Sequence, residues 1–143
     1  MNKHQVEAKN YLSQAFRLNQ SIDNKMKQLW ELRDMAAKTS VTYSDMPGDP
    51  NRGKSKVESC VAKIADIEAE IDKEIDGLID LKLDIMKRIN EVSSPELQAV
   101  LDLRYLKFMN WNDIAKELGY GSRNVYLLHG KALDEIRIPE SLQ

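Results

Sequence analysis

The sequence predicts an all-α protein: a long antiparallel helical hairpin followed by a three-helix module. Three observations carry that expectation. Two long stretches repeat apolar residues at helical spacing, one segment dense in turn formers separates them, and no strand-like alternation of any length occurs in the 143 residues. Charged residues make up 31% and aromatics only 6%, a balance that suits long exposed helices with narrow apolar seams better than a thick globular core.

The first long helix is expected from about Val6 to Lys38, a stretch without proline or glycine. Ala15, Ile22, Leu29 and Ala36 recur seven apart, and Leu12, Leu18, Met26 and Leu32 fill in at three- and four-residue steps. Asn19 falls at a seam position, where a polar residue either fixes register or is simply solvated. Residues 39–56 then break the pattern, with Ser44-Asp45-Met46-Pro47-Gly48-Asp49-Pro50-Asn51-Arg52-Gly53 rich in turn formers. This reads as a solvated loop in which Arg52, Lys54 and Lys56 are available to phosphate.

The second long helix is expected from about Val57 to Val92. Ile64, Ile71, Leu78, Ile85 and Val92 lie seven apart, with Ile67, Ile75, Leu81 and Ile89 between them. Equal helix lengths and a single connecting loop argue for an antiparallel coiled coil over residues 1–92. Charge agrees: residues 1–38 carry seven Lys/Arg against four Asp/Glu, and residues 57–92 carry five against ten. The same seams can also pair between two chains, which makes a homodimer through the coiled coil a further expectation.

Ser93-Ser94-Pro95 opens the module at 93–143, with Ser94 suited to the N-cap and Pro95 to the first helical position. Three short helices are expected, at about Pro95–Lys107, Trp111–Leu118 and Ser122–Arg137, ending before Pro139. Asn110 can cap the second, with Asp113 three residues on as capping-box partner. Gly119 suits the left-handed residue that ends it. The break Gly119 to Gly121 has the length of a helix-turn-helix corner. Val125, Leu128, Ala132 and Ile136 form the inner face of the third helix, closed by Leu101, Tyr105 and Leu106. The opposite side then carries Arg123, Leu127, Gly130 and Lys131, flanked by Asn124 and Tyr126. Arginine in the first turn of a recognition helix can grip guanine bidentately, and Asn124 can read adenine. Gly130 either admits a DNA backbone or is a tolerated weak spot, and His129 contacts phosphate or packs at the core edge.

Leu101 to Leu133 resembles region 4 of bacterial sigma factors. The resemblance lies in Leu101, Arg104 and Tyr105, then Trp111-Asn112-Asp113-Ile114-Ala115, Leu118-Gly119, Val125, and His129-Gly130-Lys131-Ala132-Leu133, aligned without a gap. With the helical hairpin and the Ser44 to Gly48 loop, the whole chain is similar to a phage and prophage family of Gram-positive bacteria grouped with the ArpU- and RinA-type late-gene regulators. The resemblance implies that Ser122, Arg123, Tyr126 and Leu127 face the upstream element of a promoter. Two positions depart from the pattern. Gly121 stands where a capping Ser or Thr is usual, which passes that role to Ser122, and Leu127 replaces a polar base reader. The candidate DNA contacts are thus Asn112, Ser122, Arg123, Asn124, Tyr126, Leu127 and Lys131.

The expected function is a DNA-binding transcription regulator with double-stranded DNA and RNA polymerase as partners. The alternative is a coiled-coil adaptor that binds proteins without reading bases, and charge keeps it in view: residues 93–143 hold six Lys/Arg against seven Asp/Glu, a poor balance for phosphate. No enzyme is expected, because no nucleophile or acid–base constellation is present. His4 and His129 have no ligand-spaced partners, so no metal or cofactor is expected. The acidic run Asp66 to Asp76 reads as a solvated helix face, and Trp30 and Trp111 as packing anchors. Cys60 is the single cysteine, the first twelve residues lack the apolar core of a signal peptide, and no apolar run approaches a membrane span, which places the chain in the cytoplasm.

Overall fold

The computed structural model describes residues 1–44 and 50–140, with side chains placed outside 40–53, and among these residues every regular element is helical. Helix α1 spans Lys3–Ser44, α2 Pro50–Asn90, α3 Pro95–Leu101, α4 Trp111–Leu118 and α5 Ser122–Glu135. A single π-helical turn, Asp102–Leu106, follows α3 directly. Among the described residues no helix is long and apolar enough to cross a membrane.

Both long helices invade the stretch expected as a loop. Residues 39–44 contain no proline or glycine to stop α1, and Pro50 occupies the first helical position of α2, where its missing N–H costs nothing. The turn-rich segment 45–49 and the side chain of Arg52 lie outside the described residues, while Lys54 and Lys56 are exposed in the first turns of α2. Helix α1 also starts earlier than Val6. The Asn2 side chain accepts from the Gln5 amide at 2.8 Å and the Gln5 side chain accepts from the Asn2 amide at 3.0 Å, a reciprocal capping box.

The chain divides into two compact units, residues 19–77 and residues 1–18 with 78–143. In the unit 19–77 the two long helices meet with opposed sequence order: Lys25 pairs with Glu74 at 2.7 Å and Arg33 with Glu68 at 2.8 Å. Ile22, Leu29, Ile67 and Ile71 are the buried seam. Ile75, expected in that seam, is exposed. Glu74 takes its place, accepting from Ser21 Oγ at 3.0 Å and from Lys25. Glu74 therefore departs from the solvated face assigned to the acidic run. The Lys25 hydrogen bond holds its carboxyl below the usual range, with burial acting against it and Ser21 adding to the effect. Trp30 is no packing anchor, being 59% exposed.

In the other unit one apolar core takes its buried residues from α1, α2, α3 and α5, with Trp111 and Leu118 of α4 packed against it. Ala8, Leu12 and Ala15 of α1 meet Ile85 and Ile89 of α2, Val100 and Leu101 of α3, and Ala132 and Leu133 of α5. A smaller cluster of Leu103, Ile114, Ala115 and Val125 lies under α4. The π turn feeds both: Leu103 enters the second cluster and Tyr105 the first. The extra residue in that turn shows in the Lys107 amide, which reaches back to the Asp102 carbonyl at 3.1 Å. Phe108 then ends the turn in the left-handed region at φ 59°, a conformation costing roughly 1 kcal/mol or more in a residue with a Cβ. Its ring packs edge-on to Phe16 at 5.6 Å with Lys82 Nζ 4.8 Å above it.

Among the described residues His129 is the one buried polar or charged side chain, only 2% exposed, which leaves a phosphate no approach to its ring. Its Nε2 shares a 2.6 Å hydrogen bond with the Tyr105 hydroxyl, and Trp111 leans on its ring at 4.5 Å. Burial, reinforced by the charges of Lys9 and Arg104, drops the imidazole pKa to about 4, while burial pushes the Tyr105 hydroxyl up. Gly130 also departs from its expected place. It faces the first turns of α1, where Gln5 Nε2 donates to its carbonyl at 3.0 Å, and a Cβ there would meet only that nitrogen, at 3.5 Å.

Two outcomes are expected. Because His129 stays neutral in the fold down to about pH 4 while the unfolded chain takes up its proton near 6.5, stability is full above about pH 6.5 and falls as pH drops towards 4. The loss is about 3 kcal/mol, and it disappears from the pH profile of denaturant unfolding in the double variant Tyr105→Phe, His129→Leu. Gly130→Ala raises stability by about 0.5–1 kcal/mol, measured by the same unfolding curves at neutral pH, because the helix gains alanine's propensity and loses no contact.

Candidate nucleic-acid interface

The candidate surface is built by α4, a three-residue turn and the first half of α5. Asn110 opens α4 by accepting from the Asp113 amide at 2.8 Å. The reciprocal half of the expected box is not made. Gly119 closes α4 at φ 72°, the conformation glycine adopts without strain, and the Tyr120 amide reaches back to the Ala115 carbonyl at 3.0 Å. The Tyr120 hydroxyl donates to Glu96 of α3, which ties the corner to the core. That carboxylate, with some burial, raises the pKa of the phenol.

Gly121 is the N-cap of α5 and offers no side-chain acceptor. Ser122 lies inside the helix as its first residue, so it does not take the capping role. Its hydroxyl and the first amides of α5 stay uncommitted at an open helix start.

Burial fixes the rotation of α5. Val125, Leu128, Ala132 and Leu133 are turned in, so Ser122, Arg123, Asn124, Tyr126, Leu127 and Lys131 are all exposed, as is Asn112 in the first turn of α4. The seven candidate residues thus share the surface around one helical corner. Among the described residues Arg123 and Lys131 form no ion pair, and neither does Lys116, exposed on α4. Tyr126 and Leu127 are each more than half exposed, and the Tyr126 ring rests 5.4 Å from Trp111. The Arg104 guanidinium lies over that indole, 4.7 Å from the ring centre, and donates to the Met109 carbonyl at 2.9 Å. Trp111 is therefore a true anchor, holding the corner between a core histidine and a surface tyrosine.

Three features of this surface escaped the sequence. The start of α1 borders the far half of α5: Asn2 approaches Asp134 at 3.5 Å, His4 Nε2 sits 3.0 Å from the Ile136 carbonyl, and Gln5 reaches Gly130. Lys3 and Lys9 are exposed on those same first turns and add positive charge beside α5. The capping box Asn2-x-x-Gln5 was the available signal, since it places the helix start three residues before Val6. Asp134 is exposed on the same side of α5 as Lys131, an opposing charge that helical spacing alone reveals. Lys116 is a third, detectable as an outward position of α4 opposite Ile114 and Ala115.

The described residues contain no group of three or more His, Cys, Asp or Glu able to hold a metal ion. What the surface offers is hydrogen-bond donors, two exposed cations on α5 and an exposed aromatic–aliphatic pair, which is a binding chemistry.

Comparison with curated proteins and with solved structures gives no match. The model of one family covers residues 40–137, more than half of the sequence and everything from the end of α1 to the end of α5, and the chain belongs to that family, described as protein of unknown function (DUF1492).

Proposed function

We propose that this chain is a DNA-binding transcription regulator of phage or prophage type, an activator of late genes, related to the ArpU- and RinA-type regulators. In this reading residues 93–143 are a helix-turn-helix module similar to sigma factor region 4, and residues 1–92 are an antiparallel coiled-coil hairpin that docks RNA polymerase or a second copy. It acts in the cytoplasm by binding alone, without catalysis or cofactor. One observation carries the reading: the first turns of α5 are exposed, and Arg123 makes no ion pair among the described residues.

Each exposed residue has a role that its chemistry suits. Arg123 matches the paired acceptors of guanine, and Asn124 the donor–acceptor pair of adenine. Leu127 and Tyr126 suit the methyl group of thymine, so the loss of a polar reader at Leu127 shifts the readout to apolar contact. Ser122, Asn112 and the open helix start suit phosphate oxygens, as do Lys131 and Lys116. A second reading, a protein-docking module, is favoured by the exposed Tyr126–Leu127 pair, which would equally suit an apolar groove on a partner.

Selection from a randomised duplex pool, followed by gel shift across salt, separates the two. The regulator reading expects a preferred sequence and an affinity that falls steeply with salt. Arg123→Ala should then weaken the preferred site about 10- to 100-fold while leaving helical content unchanged. Lys131→Ala should weaken all sequences alike and flatten the salt slope by about 0.9. A pool that returns no preferred sequence, with binding no tighter than to bulk DNA, removes base readout and leaves the docking reading.

A further inference from the structure

Helix α2 carries an apolar feature that the surface of α5 does not use. Within the unit 1–18 with 78–143, Ile79, Leu83 and Met86 are 51%, 59% and 46% exposed. Their spacing of four and then three residues puts them on one side of the helix, roughly a third of a turn from Leu78, Ile85 and Ile89, which pack against the core. Single exposed apolar side chains are ordinary, but a continuous row of three large ones on a helix is not. Along one border of the row stand Asp80 and Lys87, both exposed and neither in an ion pair with another described residue.

We propose that this stripe is a homodimer interface, in which α2 packs antiparallel against α2 of a second copy about a two-fold axis at Leu83. Such an axis sets Leu83 against its own counterpart and Ile79 against Met86 of the second copy, twice over. It also brings Asp80 opposite Lys87 of the second copy on the same flank, again twice. The charge pattern is what selects a second copy as the occupant: an isologous interface needs each residue's complement on the same strip, and Asp80 and Lys87 supply it, one three residues before Leu83 and the other four after it. A parallel two-fold would place the Asp80–Lys87 borders of the two copies on opposite flanks of the interface, where they do not meet. Three apolar side chains per protomer fall short of the roughly 800 Å² per partner of a tight complex, so the association is concentration-dependent. The interface gives residues to the second-copy option raised above and stands whether or not α5 binds DNA.

Sedimentation velocity of the full chain, without DNA, from low micromolar to millimolar concentration tests it. A monomer–dimer equilibrium is expected. Leu83→Arg should raise its dissociation constant about tenfold or more with an unchanged helical circular dichroism spectrum, since the residue is exposed in the monomer. Asp80→Lys should weaken the dimer, and Asp80→Lys combined with Lys87→Asp should restore it. In a Cys60→Ser background, Leu83→Cys should form an intermolecular disulfide under mild oxidation. A chain that stays monomeric throughout, or a dimer indifferent to Leu83→Arg, overturns the interface. A charge swap that fails to restore association overturns the antiparallel pairing. None of these outcomes bears on the gel shift, so the two proposals fail separately.

Discussion

The rotation of α5 about its own axis is set by burial, and the surface chemistry of the corner follows from it. Val125, Leu128, Ala132 and Leu133 are taken into apolar clusters that also draw on α1, α2, α3 and α4. Each large side chain among them contributes about 1.5–3 kcal/mol on leaving water. Turning the helix by one residue's angle would expose several of them and press Arg123 or Lys131 into hydrocarbon, where an unpaired charge costs several kcal/mol. No feature on the outer side competes with that. Arg123, Leu127 and Lys131 point outward because the inner side leaves them no alternative.

Polar contacts act on this frame differently, fixing register more than adding stability. Tyr105 and His129 satisfy each other inside the core, so neither is left as a buried orphan, and the pair specifies which turn of α5 lies over the π turn. Gln5 works at two scales: its Oε1 closes the capping box of α1 and its Nε2 anchors the middle of α5. Glu74 plays a comparable part in the unit 19–77. Its two acceptor oxygens take Ser21 and Lys25 where the seam would otherwise bury isoleucine. Half-exposed ion pairs of this kind are worth little in energy, but a carboxylate flanked by fixed donors is hard to slip by one turn.

The parts of the molecule that sequence made legible are those set by local rules. Caps at Ser94 and Asn110, the left-handed Gly119, and the bounds of α4 depend on a few adjacent residues and are found where those residues place them. The seam of α2 was legible at Ile67, Ile71, Ile85 and Ile89 but not at Ile75. Near Ile75 the seam has moved onto Glu74. Long-range partners account for the other differences. Gly130 looked outward because spacing within α5 says nothing of α1, whose first turns lie more than 120 residues earlier and cover that side. Spacing left His129 between a phosphate contact and the core edge because its buried partner, Tyr105, sits on another helix. Phe108 in a glycine-like conformation carried no signal at all, since it is held there by Phe16 and the π turn rather than by its neighbours.

Under the proposed DNA-binding reading, charge decides how far α5 can act alone. The residues from Ser93 onward carry one more acidic than basic side chain, and Asp134 shares the outer side of α5 with Lys131. Phosphate attraction grows with the number of cations brought to the backbone, and each contact is weakened by nearby carboxylates through the same Coulomb term. Lys3 and Lys9, delivered beside α5 by the capping box and the core contacts of α1, partly redress the balance within one chain. A second copy would do more, because a duplex held by one module presents the next half-site at high effective concentration, and affinity then multiplies without any new kind of contact. For a weakly charged corner of this type, what multiplies the contacts matters more than any single base reader.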